Sequence, residues 1–262
     1  MPPTIIDTHC HLYTEDFDAD IATVIRRAQD VGVQQFYLPN IDSASIDSML
    51  KLETDFPGVC IPMMGLHPCS VKEDYKNELA VVESWLQKRT FAAVGEIGLD
   101  FHWDKTFTDQ QYEAFHQQIE WAKAYNLPIV IHTREAMQQC IDVVKQHKDE
   151  KLKGIFHCFG GSIKEAKQII DLGFYLGIGG VLTYKKARLK ETLKEISIKH
   201  LVLETDAPYL TPVPFRGKRN ESAYLQYIIE ALAEAKNIPI EEVAAVTTAN
   251  ANFVFQKQQH VA

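Results

Sequence analysis

Long apolar runs are missing from this chain of 262 residues: no stretch approaches the roughly 18 apolar residues that a membrane-spanning helix needs. The opening segment, MPPTIIDTHCHL, has no basic stretch ahead of an extended apolar run, so no secretory signal is expected. Cysteine is sparse. Cys10, Cys60, Cys69, Cys140 and Cys158 are odd in number and contain no Cys-x-x-Cys spacing. That excludes a fully paired disulfide framework and makes the cytoplasm the expected compartment. Positive charge is also short: 27 Lys and Arg against 35 Asp and Glu leave a net charge of −8. Extensive wrapping of nucleic acid is thereby disfavoured, although bound cations would reverse the local field in a cleft. Low-complexity tracts and Pro- or Ser-rich linkers are lacking too, so residues 1–262 are expected to form one domain. A chain of this length buries a large core without structural metal, which leaves any metal ligands free for chemistry.

What is present is a repeated alternation. Short apolar runs at Thr4–Asp7, Gln35–Leu38, Val59–Met64, Ala92–Glu96, Pro128–His132, Gly154–His157, Phe174–Ile178 and Leu201–Glu204 mostly lack polar alternation, as suits parallel strands covered by helices. Between and after them lie segments with apolar residues at three- and four-residue spacing: Ile21–Gln29, Ser43–Phe56, Glu78–Gln87, Asp109–Tyr125, Ala136–Gln146, Ile163–Leu172, Ala187–Ile196 and Tyr224–Lys236. Thr108 is the expected N-cap of the fourth and Asn126 its expected stop. Eight such units predict a (β/α)8 TIM barrel, with Ile240–Phe255 left as an extra helix. The competing doubly wound sheet would need a glycine-rich phosphate loop after the first strand, and none follows it.

Polar residues gather where strands end, which in such a barrel is where an active site is built. His9 and His11 continue the first strand on one face, with Cys10 turned away; Asp7 shares their face and is expected to orient an imidazole. Glu96 ends the fourth strand, His132 the fifth, His157 the sixth, and Asp206 follows the eighth. A lone strand-end histidine is more often a hydrogen-bonded structural group than a ligand. Six nitrogen and oxygen donors at one end of five strands point to metal. Imidazoles mixed with carboxylates suit zinc, manganese, iron or nickel better than an all-oxygen magnesium site, although magnesium stays among the candidates. Six donors exceed what one catalytic tetrahedral ion uses. They match two divalent cations sharing a carboxylate at a separation of roughly 3.5–4 Å, with a water between them losing a proton near neutral pH.

The motifs at these positions closely resemble those of the TatD-type metal-dependent deoxyribonucleases, within the amidohydrolase superfamily. The resemblance runs through Asp7-Thr8-His9-Cys10-His11-Leu12, Gly65-Leu66-His67-Pro68, Gly95-Glu96-Ile97-Gly98-Leu99-Asp100, His132-Thr133-Arg134-Glu135, His157-Cys158-Phe159-Gly160-Gly161-Ser162, Glu204-Thr205-Asp206-Ala207-Pro208 and Arg216-Gly217-Lys218-Arg219-Asn220-Glu221. It implies that His9, His11 and Asp206 hold one cation, His132 and His157 the other, and that Glu96 bridges them. It further implies hydrolysis of phosphodiester bonds in DNA, from strand ends. Gly160 stands where Ser or Thr is common in the family, and Ser222 where Pro is common. With no lysine in the strand of Glu96, a carboxylated-lysine bridge is not expected.

The expected roles are Asp206 and Glu96 in catalysis, and His67, Arg134 and Arg216 at the substrate. Lys218 and Arg219 read more readily as a solvated turn, and Lys185, Lys186, Arg188 and Lys190 as a solvated helix face. Glu204, on the same face as Asp206, is expected behind the ligands, and Trp103 and Phe101 either stack on a base or pack against a loop. DNA, as a single strand or an end, is the expected partner of a monomer. The alternative on the same barrel is a dinuclear hydrolase of small amides, lactones or phosphoesters.

Overall fold

The computed structural model describes residues 2–255. Among them β1 (Ile5–Asp7), β2 (Val33–Pro39) and β3 (Cys60–Met63) pair in order, all parallel. A second parallel set runs β4 (Val94–Asp100), β5 (Ile129–Arg134), β6 (Gly154–Phe156), β7 (Tyr175–Ile178) and β8 (Leu201–Leu203). Two narrow seams join the sets into one ring. At the first, Met64 bridges Val94 and the Gly95 amide donates to the Met64 carbonyl at 3.0 Å. At the second, the Thr8 amide donates to Leu203 at 3.0 Å and the Asp206 amide to His9 at 2.9 Å. The chain is a (β/α)8 barrel, as the alternation predicts.

The outer layer consists of α1 (Ile21–Asp30), α2 (Ile46–Asp55), α3 (Tyr75–Lys88), α4 (Thr108–Tyr125), α5 (Met137–Gln146), α6 (Ile163–Asp171), α7 (Leu189–Glu195) and α8 (Leu225–Lys236). Each turns an apolar stripe to the strands. In α4 the stripe is Ala114, Phe115, Ile119 and Ala122, all buried. Asn126 ends that helix in the left-handed region at φ 53°, a conformation asparagine tolerates better than most residues. The expected Thr108 cap is not formed. Thr108 is the first helical residue, and its hydroxyl donates backward to the Lys105 carbonyl at 2.8 Å, because the preceding turn already offers it an acceptor.

β4 outruns its expected end at Glu96 by four residues, because Ile97 and Leu99 continue a buried strand through a glycine that looks like a loop in the sequence. Gly98 belongs to the strand for a packing reason. A Cβ there would lie 2.1 Å from the His132 carbonyl oxygen, and its φ of 143° suits glycine alone.

The last helix, α9 (Ile240–Phe255), lies across the N-terminal end of the barrel. Ala251 and Val254 join Ile6, Tyr37, Met63, Ala93, Val130, Ile155 and Val202 in one buried cluster, and Phe255 stacks on Tyr37 at 3.7 Å. Asn250 donates to the Ile198 and Leu201 carbonyls at 3.0 and 2.7 Å, which ties the helix to β8. One end of the ring is thus sealed and the C-terminal end stays accessible.

Candidate metal centre

At the open end six side chains converge on Glu96. The pairing of β4 with β5 shifts register between Gly95 and Ile97, so Glu96 sits at an irregularity without a β5 partner. Such irregularities re-aim a side chain, and this one sends the carboxylate to the barrel axis. Its two oxygens face different pairs of imidazoles. Oε1 lies 2.8 Å from His132 Nδ1 and 2.9 Å from His157 Nε2. Oε2 lies 3.1 Å from His9 Nε2 and 3.5 Å from His11 Nε2. Asp206 Oδ1 stands 3.7 Å from both His9 Nε2 and His11 Nε2. Asp206 adopts the left-handed region at φ 56°, just past the seam where its amide bonds to His9.

A second ring of groups decides which nitrogen each imidazole turns inward. His132 presents Nε2 to Asp100 Oδ2 at 2.9 Å, leaving Nδ1 for the centre. His157 has Nδ1 3.4 Å from Glu204 Oε1, an oxygen that also accepts from the Cys158 amide at 2.5 Å. Gly177 leaves room for that carboxylate, since a Cβ there would fall 2.1 Å from Glu204 Oε2. His11 Nδ1 lies 3.0 Å from the Tyr13 hydroxyl, which spends its own hydrogen on the Pro39 carbonyl. Nδ1 of His11 is therefore the donor and Nε2 its inward lone pair.

Asp7 does not orient an imidazole. It accepts from the Thr205 amide at 3.0 Å and from the hydroxyls of Thr205 and Ser222, both at 2.6 Å, tying β1 to the segment after β8. Asp100 and Tyr13 were missed as positioning residues by sequence reasoning. Asp100 lies four residues after Glu96 in β4, and that strand periodicity is the signal that finds it; Tyr13 lies in the turn after His11, where no strand periodicity points to it.

The donor set fits divalent cations. Both ring nitrogens of His9, Nδ1 of His157 and Oε2 of Glu204 are buried without a hydrogen-bond partner. Unpaired buried polar atoms are costly, and a cation facing His9 Nε2 would satisfy it. By distance three groupings can hold an ion: His9, His11 and Asp206; His9, Glu96 and His157; His67, Glu96 and His132. The field is already polarised for this. Burial alone would raise the Glu96 carboxyl, but the imidazoles of His157, His9 and His67 outweigh it and hold it well below the usual carboxylate range. Burial pushes Asp206 up to about 6, with His157 and His11 opposing. His9 is driven well below the usual imidazole range, first by burial and then by the charge of His157.

Asp100→Asn should cost roughly 10–100-fold in cation affinity, because Asp100 fixes the ring of His132 and strengthens it as a donor. Calorimetric titration of the metal-free variant with Mn²⁺ or Zn²⁺ reads this directly; wild-type affinity would remove Asp100 from the role.

Substrate-side expectations divide. His67 does enter the centre, with Nε2 3.2 Å from His132 Nδ1. Arg134 is exposed at the end of β5, its guanidinium 5.0 Å from the Trp103 ring, and Trp103 is 68 % exposed. Arg216 is exposed and lies 3.8 Å over the Tyr184 ring. Phe101 packs against the core instead. Arg219 is occupied, donating to Asp20 at 2.8 and 2.9 Å, and Lys190 pairs with Glu234 at 2.7 Å.

A barrel that gathers four histidines and two carboxylates at the C-terminal ends of its strands has the architecture of a metal-dependent hydrolase. The chain belongs to the TatD related DNase family, whose profile matches residues 6–256. It is 40% identical over 255 residues to the uncharacterized metal-dependent hydrolase YabD of Bacillus subtilis, covering 96% of this chain and 99% of that one. An uncharacterized metal-dependent hydrolase of Buchnera aphidicola is 30% identical over 261 residues, with 96% and 98% covered. Among solved structures, YjjV, a TatD homologue of Escherichia coli, superposes with a TM-score of 0.90 at 28% identity, over 96% of this chain and 97% of that one. No helix among the described residues is long and apolar enough to cross a membrane.

Proposed function

We propose that this protein hydrolyses phosphodiester bonds in DNA, acting from strand ends. The observation that carries the reading is Glu96, whose two oxygens each face a separate pair of imidazoles. His9, His11 and Asp206 would hold one divalent cation and His132 and His157 the other, with Glu96 shared. Such a pair supplies Lewis acidity toward a phosphoryl oxygen and a water of lowered pKa. Asp206 would take the proton from the attacking water. Its side chain is 14% exposed at the mouth, where an attacking water would be held.

Two rim features favour a nucleic-acid chain over a small ester. Arg134 beside the exposed Trp103 joins a cation for a phosphate to an aromatic ring for a base, and the exposed Arg216 over Tyr184 adds a second cation. With few free cations at the mouth, about two or three phosphates are expected to be neutralised, which gives a shallow salt dependence of DNA affinity. A blind barrel mouth ringed by loops favours a chain end over continuous duplex. The test is turnover of end-labelled single strands, linear duplex and a closed circle under a panel of divalent cations, with Arg134→Ala alongside. Release from ends, weakened in Arg134→Ala without loss of bound cation, is the expected result. Rapid cutting of the circle overturns the end-directed reading. Hydrolysis of small esters with none of any DNA overturns the nuclease reading.

A further inference from the structure

Five imidazoles, not four, surround Glu96. The fifth, His67, follows β3 and lies with Nε2 3.5 Å from Glu96 Oε1 and 3.2 Å from His132 Nδ1. Distance alone would make it a ligand in a third grouping with Glu96 and His132. Its other nitrogen argues against that. His67 caps the short turn Pro68–Ser70, and its Nδ1 accepts the Cys69 amide hydrogen at 3.0 Å. A nitrogen that accepts an amide hydrogen has its lone pair in use and carries no proton, so the ring's proton must sit on Nε2. The inward nitrogen of His67 is therefore an N–H.

This is the reverse of its neighbours. His11 and His132 direct the outer nitrogen at an oxygen acceptor, and His157 holds its own beside Glu204, so each keeps an inward lone pair for a cation. His67 has an amide where they have an acceptor. Ligation through Nε2 would require moving the proton to Nδ1, against the Cys69 amide, at the cost of the cap. The turn resists this: Pro68 restricts the backbone just after His67, and the His67 amide is itself bonded to the Ile41 carbonyl at 2.8 Å. The side chain is 14% exposed, at the level where a substrate would meet the centre.

We propose that His67 is a hydrogen-bond donor to an anionic phosphoryl oxygen of the substrate, and not a cation ligand. The nature of that oxygen rests on the phosphodiester reading; the direction of the N–H rests on the Cys69 contact alone. A donor fixed in advance beside the reacting group stabilises charge as it builds on the oxygen, without reorganising at the moment of reaction.

Three measurements test it. In metal-free protein labelled with ¹⁵N-histidine, long-range ¹H–¹⁵N correlation should place the His67 proton on Nε2, with its peaks assigned by their loss in His67→Gln. A proton on Nδ1 overturns the proposal. Cation stoichiometry should be unchanged in both His67→Ala and His67→Gln, and affinity should shift far less than on loss of a ligand such as His132, since neither removes a ligand. Loss of an ion, or a fall in affinity as for a true ligand, overturns it as well. Cation-loaded His67→Ala should bind inorganic phosphate and thymidine 5′-monophosphate about tenfold or more weakly, the scale of a hydrogen bond to a charged group, with partial recovery in His67→Gln, which keeps an N–H donor. Unchanged affinity for both probes overturns the donor role. If His67 carries the expected proton and governs phosphate binding while the wild type cleaves no DNA, the nuclease reading falls and the donor assignment stands.

Discussion

On the proposed two-cation reading, Glu96→Ala should abolish cation-dependent turnover and weaken both cation sites together. The substitution removes the one carboxylate that faces both imidazole pairs, from 2.8 and 2.9 Å on one oxygen and 3.1 and 3.5 Å on the other. It also leaves four inward imidazoles without the negative charge that balances bound cations. Removing a group that merely supports a ligand costs roughly 10–100-fold, so losing a shared ligand should exceed the upper end of that range in activity. Elemental analysis of the variant after loading and removal of excess ion should give fewer cations per chain than the wild type, alongside the loss of turnover. Full occupancy with near-normal turnover would discard Glu96 as the shared ligand.

Asp206→Asn is the second large effect, and the backbone makes it a clean substitution. Asp206 lies in the left-handed region at φ 56°, where asparagine is as well tolerated as aspartate, so the fold and the seam bond to His9 should survive. What changes is charge and basicity. A positioned general base contributes typically about 10²–10⁴-fold, and kcat should fall by that order while KM moves little. A variant that keeps the wild-type cation content and a kcat near wild type at neutral pH would take the proton-accepting role away from Asp206.

Much of this arrangement is legible in the sequence because a strand reveals itself locally. Apolar runs ending in histidine at His132 and His157, and the every-second-residue spacing of His9 and His11, place donors on one face at one end. Longer-range facts are not local. Gly98 looks like the start of a loop, yet β4 continues through it because the His132 carbonyl needs the space that a side chain would fill. Asp7 lies on the histidine face, but its partners Thr205 and Ser222 stand on the far side of the chain's sequence, and nothing near Asp7 announces them. The His67 case is subtler. Residue type and position bring it to the centre, whereas the amide of Cys69, a contact no periodicity encodes, decides what it can do there.

The seam between β8 and β1 has a consequence for how the protein is made. His9 and His11 stand at the start of the chain and Asp206 far along it, and they meet only when the ring shuts. Contacts between such distant parts of a chain form late and slowly. On the ribosome, the emerging first half carries His9, His11 and Glu96 but cannot assemble the full donor set, so hydrolytic competence arrives only with the last strand. Once shut, an ion gripped from both sides would act as a rivet. By mass action it favours the closed ring by about 2.7 kcal/mol at a free concentration a hundred times its Kd. The same three side chains would then serve as catalyst and as clasp, and depletion of divalent ions would loosen the protein where its two ends meet.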